Sequence, residues 1–153
     1  MKKIVVASDH RGGVILEDVI KLLEKHGVIV STIDEQGKDA TDDYMDICKV
    51  VGREVKNGIV DGAVLVCGTG IGMMMGANRI KGCRAVLADS IERVYFARRH
   101  EDANILVYPA GYTDGRKAIK TPEHKFLEQT IIEFLHTEFE QGRHVRRIQK
   151  LDK

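Results

Sequence analysis

Residues 62–79, GAVLVCGTGIGMMMGANR, set a thiol against glycines. Cys67 ends an apolar stretch that begins at Ala63. Gly68, Gly70 and Gly72 follow at alternate positions, and a Met-rich segment of helical character comes next. A strand that ends in glycines and then turns into a helix presents several bare N–H groups. Such a nest holds an anion, or an oxygen that is gaining negative charge. The missing Cβ atoms let a ligand approach the backbone and permit positive φ. A thiol facing those N–H groups is expected to have a lowered pKa, with thiolate accessible near neutral pH. The alternative is a small buried hydrophobe. Two nucleotide fingerprints are excluded. The dinucleotide pattern needs a glycine where Met73 stands, and no P-loop pattern occurs.

Arg143 and Arg147 stand four apart on one face of the terminal segment, opposite a stripe of Val145, Ile148 and Leu151. Two guanidinium forks on one face suit a phosphate. A solvated basic face is the alternative. No aromatic residues interleave these cations, which argues against nucleic acid. His26, His124 and His136 stand in no motif and read as surface or helix residues. No metal is expected, because H-E-x-x-H and clustered ligand spacings are missing. Met73, Met74 and Met75 face different directions on a helix and read as core. The acidic run at residues 39–43 lacks the calcium-loop spacing.

These groups must be positioned by alternating strands and helices. Residues 4–7, 28–33, 63–67, 84–88 and 105–108 read as strands, the last broken by Pro109. Residues 15–23 have helical spacing with Gly27 as stop, and residues 44–57 form a helix ended by Gly58. Residues 34–43 read as a polar loop. Asp89-Ser90 caps a helix that runs through Arg99, and residues 127–139 form an amphipathic helix interrupted at Gly142. The alternation implies an α/β fold, a doubly wound Rossmann-like parallel sheet of five strands with helices on both faces and a C-terminal helical tail. Ligands in such sheets sit beyond the carboxyl ends of strands. Asp9-His10, residues 67–72 and residues 100–104 are expected to converge there.

At 153 residues the simplest reading is a single domain over 1–153, with a net charge of +1 that points to neither nucleic acid nor membrane. Three cysteines without C-x-x-C spacing argue for reduced thiols in a cytoplasmic protein. The opening MKKIVVAS stops at Asp9-His10-Arg11, so it reads as a first strand rather than a signal peptide, and no stretch has the length of a transmembrane helix.

Ser8-Asp9-His10, Asp43-Tyr44, Cys-Gly-Thr-Gly-Ile-Gly at 67–72, Ala77-Asn78, His100-x-Asp102-x-Asn104 and Gly142-Arg143-His144-x-x-Arg147 occur in that order. Together they resemble the ribose-5-phosphate isomerase B family, which includes galactose-6-phosphate isomerase subunits, over nearly the whole chain. The resemblance implies a cofactor-independent aldose–ketose isomerase of the pentose phosphate pathway, acting as a homodimer or tetramer with shared sites. It implies Cys67 as the base between C1 and C2. The N–H groups of Gly68, Gly70, Ile71 and Gly72 would hold the enediolate oxygen, while Thr69 and His100 assist ring opening. Asp9 and Tyr44 would face sugar hydroxyls; His10, Arg143 and Arg147 would hold the phosphate. Two departures bear on the sugar. Glu101 stands where the family commonly has Asn, and Tyr108-Pro109-Ala110-Gly111-Tyr112 replaces a glycine-rich turn with a phosphate-binding arginine, a contact Arg116 or Lys117 could take over. A six-carbon sugar phosphate, or a non-catalytic phosphosugar-binding subunit, are the alternatives; retention of both Cys67 and His100 counts against the second. A thiol-redox role is weaker still, since no resolving Cys lies nearby in sequence.

Overall fold

The computed structural model describes residues 1–33 and 43–151; the loop expected at 34–43 lies outside them except for Asp43. Its elements are β1 (Lys3–Ser8), α1 (Gly13–Lys25), β2 (Ile29–Thr32), α2 (Tyr44–Lys56), β3 (Gly62–Cys67), α3 (Ile71–Ala77) and β4 (Ala85–Leu87). They continue with α4 (Ile91–Glu101), β5 (Ile105–Pro109), β6 (Tyr112–Thr113), β7 (Ala118–Ile119), α5 (His124–His136) and α6 (Arg143–Leu151). Five parallel strands form one sheet in the order β2-β1-β3-β5-β4, the doubly wound arrangement expected.

Strand pleating sends successive side chains to opposite faces, and here both faces are covered. Val64, Val66, Leu106 and Tyr108 pack under α1 and α5, while Ala63, Leu65, Cys67 and Val107 pack under α2 and α3. The buried Tyr108 hydroxyl is satisfied by Thr130 of α5 at 2.5 Å, which ties that helix to the sheet. Gly27 and Gly58 take positive φ after α1 and α2, and Ser90 Oγ accepts the Arg93 N–H at the start of α4. These helix ends fall where the sequence places them.

The region after β5 differs from expectation. Residues 112–119 form a small antiparallel hairpin, closed by Asp114 Oδ1, which accepts the N–H groups of Arg116 and Lys117. Helix α5 starts at His124 rather than Leu127 and stops at His136, where Thr137 turns extended. No helix among the described residues is long and apolar enough to cross a membrane.

Candidate active site

Strands β1 and β3 lie side by side and end together, so the turn after Ser8 meets the loop after Cys67. Asp9 is 5% exposed, and its Oδ1 accepts the N–H groups of Arg11 (3.0 Å) and Gly12 (3.1 Å). The Cys67 thiol is 8% exposed and hydrogen-bonds the same carboxylate. Backbone N–H groups of Gly70 and Thr69 also hydrogen-bond its sulfur.

The balance of these forces overturns the expectation of a lowered thiol pKa. Burial first, and then the Asp9 carboxylate, push Cys67 up to about 11, and the loop N–H groups pull it down too weakly to offset them. Helix α3 spans only Ile71–Ala77, so the field behind those N–H groups is short. The resting site therefore holds a thiol paired to a carboxylate.

The glycine loop is shaped by close contacts. Gly70 has φ +74°, and a Cβ there would lie 2.5 Å from Leu87 Cδ1. A Cβ on Gly72 would lie 3.0 Å from Tyr44 Cζ, so the Tyr44 ring covers the loop from the first turn of α2. Thr69 Oγ1 accepts the Ile71 N–H at 3.2 Å, which leaves its own proton free to donate. The chain after β5 adheres to the same loop: Ala110 N donates to Cys67 O at 2.8 Å and Gly111 N to Gly68 O at 3.1 Å. His10 is half-buried in the adjoining turn.

Arg11 joins this end of the sheet, although no sequence motif marks it. Its guanidinium lies over the Tyr112 ring, 5.1 Å from the centroid, and a Cβ on Gly68 would stand 3.0 Å from its Cδ. Arg116 and Lys117 sit exposed in the hairpin turn.

His100 and Glu101 are elsewhere. Helix α4 returns antiparallel to the strands, so its last turn reaches the amino end of the sheet. Asp102, at φ +47°, pairs there with Arg84 (2.8 Å), the residue before β4, and with Arg98 (3.2 Å). Asn104 O accepts the Ala63 N–H at the opening of β3. The expected convergence of residues 100–104 with Asp9 and Cys67 therefore fails within one chain. A chain segment leading into a parallel strand lies at that strand's amino end. Two clefts open here: one of about 750 Å³ bordered by Asn78, Arg84 and Glu101, and one of about 430 Å³ bordered by Ser90, Phe96 and His100.

The tail packs on the same end. Glu140 N donates to Arg99 O, and the Glu140 carboxylate pairs with Arg99 at 2.9 Å. Gln141 and Gly142 both take positive φ and turn the chain into α6. Arg143 and Arg147 are exposed. The apolar stripe is covered unevenly, with Val145 and Ile148 half-buried and Leu151 68% exposed. The fully buried residue of α6 is His144, to which the sequence reading gave no role although it stands inside the motif. Its ring stacks on His100 at 4.5 Å between centroids and 8° between planes.

His100, Glu140 and His144 offer ligand atoms within 4.8 Å of one another. An imidazole nitrogen binds a metal along its own ring plane, and two planes stacked almost parallel do not meet at one ion. As placed, these residues do not form a metal centre. Of the remaining thiols, Cys48 is pushed up to about 12 by burial. Cys48, Cys67 and Cys83 are all buried, and none forms a disulfide.

The profile of the Ribose/Galactose Isomerase family matches residues 4–151. The ribose-5-phosphate isomerase B of Escherichia coli is 30% identical over 151 residues, which covers 99% of this chain and 95% of the relative. The crystal structure of a Thermotoga maritima ribose 5-phosphate isomerase matches with TM-score 0.84 at 36% identity, over 99% of this chain and 97% of that one. The Mycoplasma genitalium ribose-5-phosphate isomerase B, solved with bound ribulose-5-phosphate, matches with TM-score 0.82 at 33% identity, over 98% and 93%. With sequence and fold alike from the first strand to the last helix, this chain belongs to the ribose/galactose isomerase family.

Proposed function

We propose that this chain is a cofactor-independent ribose-5-phosphate isomerase of the B type, a single cytoplasmic domain that interconverts ribose 5-phosphate and ribulose 5-phosphate. The observation that carries the reading is Cys67, seated between the Asp9 carboxylate and the N–H groups of a glycine loop, in a chain similar throughout to an isomerase solved with ribulose-5-phosphate.

The proton inventory follows from that seat. The thiol passes its proton to Asp9, and the thiolate takes the proton from C2 of the open-chain aldose. Charge develops on O1, where N–H groups of residues 68–72 receive it. Return of the proton to C1, with the O2 hydroxyl proton passing to O1, completes the ketose. Ring opening comes first: the C1–O4 bond breaks, O4 takes a proton from His100, and O1 releases one. Thr69 donates toward the sugar, and Asp9 and Tyr44 line its hydroxyls.

Because His100 and the tail arginines lie at the opposite sheet end from Cys67, the working unit is a dimer. Each Cys67 loop is completed by His100, Arg143 and Arg147 of the other copy, with His10 on the phosphate. The large exposed side chains Ile71, Met75 and Phe96 give such a dimer apolar surface to bury. A six-carbon sugar phosphate is the second reading, favoured by Glu101, whose exposed carboxylate adjoins His100 and can accept from an additional hydroxyl.

Purified protein incubated with ribose 5-phosphate, or with galactose 6-phosphate, and followed by ketose formation tests both readings. Turnover of the pentose phosphate that persists with chelator is the expected result. No ketose from either sugar would leave a binding subunit.

A further inference from the structure

We propose that His144 is the positioning residue for His100, acting as a flat floor on which the His100 ring is held at the angle needed to reach the sugar ring oxygen. The inference rests on the reading of His100 as the ring-opening acid.

Three observations lead to it. The His144 ring lies parallel to that of His100, 4.5 Å away, while Phe96 meets the same His100 ring at 5.2 Å and 40°. A ring in contact with two others has little freedom to rotate about its side-chain bonds. Second, His144 is 3% exposed, whereas the residues around it on α6 reach solvent. Third, both its ring nitrogens are buried without a hydrogen-bond partner. Hydrogen bonding therefore does not account for an imidazole in this place, and the flat face does.

The surroundings are consistent with a neutral floor. Burial, followed by His100 and Arg143, disfavours the charged form of His144. The Glu140 carboxylate offers an oxygen to each ring, 3.8 Å from His100 Nε2 and 3.9 Å from His144 Nε2, both beyond hydrogen-bond reach. Arg99 holds that carboxylate at 2.9 Å. His144 thus fixes the plane of the His100 ring as a neutral flat surface.

The test separates ring opening from proton transfer. Ribose 5-phosphate must open before it reacts. Ribulose 5-phosphate carries its phosphate on the oxygen that would close a five-membered ring, so it is already open, and solvent exchange at its C1 reports proton transfer alone. His144→Ala is expected to slow ribose 5-phosphate turnover at saturation by about tenfold to 100-fold, the scale of a misplaced catalytic group. C1 exchange of ribulose 5-phosphate should stay within about threefold of wild type, and His144→Phe, which keeps a flat ring, should restore ribose turnover to within the same margin. Equal loss in both assays would make His144 a fold or phosphate-site residue and overturn the inference. So would unchanged ribose turnover in His144→Ala, or a Phe variant as slow as the Ala variant. His100→Ala is the control on the underlying reading. If it shows no loss specific to the ring form, His100 is not the acid and the inference falls with it. If it does show that loss and His144→Ala does not, only the inference falls.

Discussion

Cys67 ends β3 at the carboxyl edge of the sheet, and His100 occupies the last turn of α4 at the amino edge. The strand between those edges advances about 3.3 Å per residue, so a single copy holds the two groups roughly 15 Å or more apart. General acid–base chemistry on one pentose needs both within hydrogen-bond reach of it. Parallel α/β topology imposes this separation, since each helix must return the chain to the starting edge before the next strand. The proposed pairing of two copies would bring one carboxyl edge to the other's amino edge and resolve it.

Mixing two inactive variants checks that arrangement. Cys67→Ala and His100→Ala homodimers should each be severely impaired. After unfolding and refolding together in equal amounts, half of the dimers are mixed, and each mixed dimer has one site with both groups intact. Activity should recover to about a quarter of wild type, given additive, independent sites. Absence of recovery, with mixed dimers demonstrated by mass, would place both groups in one copy's site.

The thiol of Cys67 should alkylate slowly at neutral pH and accelerate with an inflection near pH 11, read at that residue by mass spectrometry. At pH 7 this leaves about one thiolate in 10⁴ molecules. Asp9→Asn removes the repelling carboxylate, so the inflection should move down. An inflection that stays in place would assign the shift to burial alone. The sign for stability follows. A native thiol that holds its proton to higher pH than the unfolded one stabilises the fold below about pH 9, and that contribution is lost as pH climbs toward 11.

Much of this arrangement is legible in the sequence because it is local. Gly27 and Gly58 as helix stops, Ser90 as a cap and the Cys67 glycine loop each depend on a few neighbouring residues. The pKa of Cys67 does not, because Asp9 comes from another strand and only parallel pairing of β1 with β3 brings it to the sulfur. His144 was hidden for a related reason. Its helix carries an evident apolar stripe in Val145, Ile148 and Leu151, yet the turn at Gln141 and Gly142 rotates that helix so that His144 meets α4. The placement of residues 100–104 was available from chain order, since residues leading into a strand belong to its amino end.

Arg143, Arg147 and Arg11 are predicted to make separable contributions to phosphate binding. Each charge-assisted contact is worth roughly 1.5–3 kcal/mol, so Arg143→Ala or Arg147→Ala should lower kcat/KM by about one to two decades. Arg11 stands at the carboxyl edge, over Tyr112 in the segment after β5. Arg11→Ala should raise KM for ribose 5-phosphate with little change in kcat, while Arg116→Ala and Lys117→Ala, in the exposed hairpin turn, should change neither. A KM effect confined to the hairpin variants would move the contact there.

Cys67 is predicted to be the base itself, and exchange of the C2 proton of ribose 5-phosphate in deuterated water measures it directly. General-base catalysis is worth roughly 10²–10⁴-fold, so Cys67→Ala should slow exchange by about that factor while the protein remains folded. Cys67→Ser should be nearly as slow, because a hydroxyl beside Asp9 is a far weaker base than a thiol in the same seat. Glu101 is the competing carboxylate. It adjoins His100 at the amino edge and borders both clefts there, so in the proposed dimer it would accompany His100 into the shared site. Were Glu101 the base, Cys67→Ala would exchange at the wild-type rate and Cys67→Ala/Glu101→Gln would not. With Cys67 as the base, the single variant is already slow and the added Glu101→Gln changes exchange little. It is expected instead to shift the preference between five- and six-carbon substrates, the effect that would follow if the carboxylate it removes stands beside the sugar.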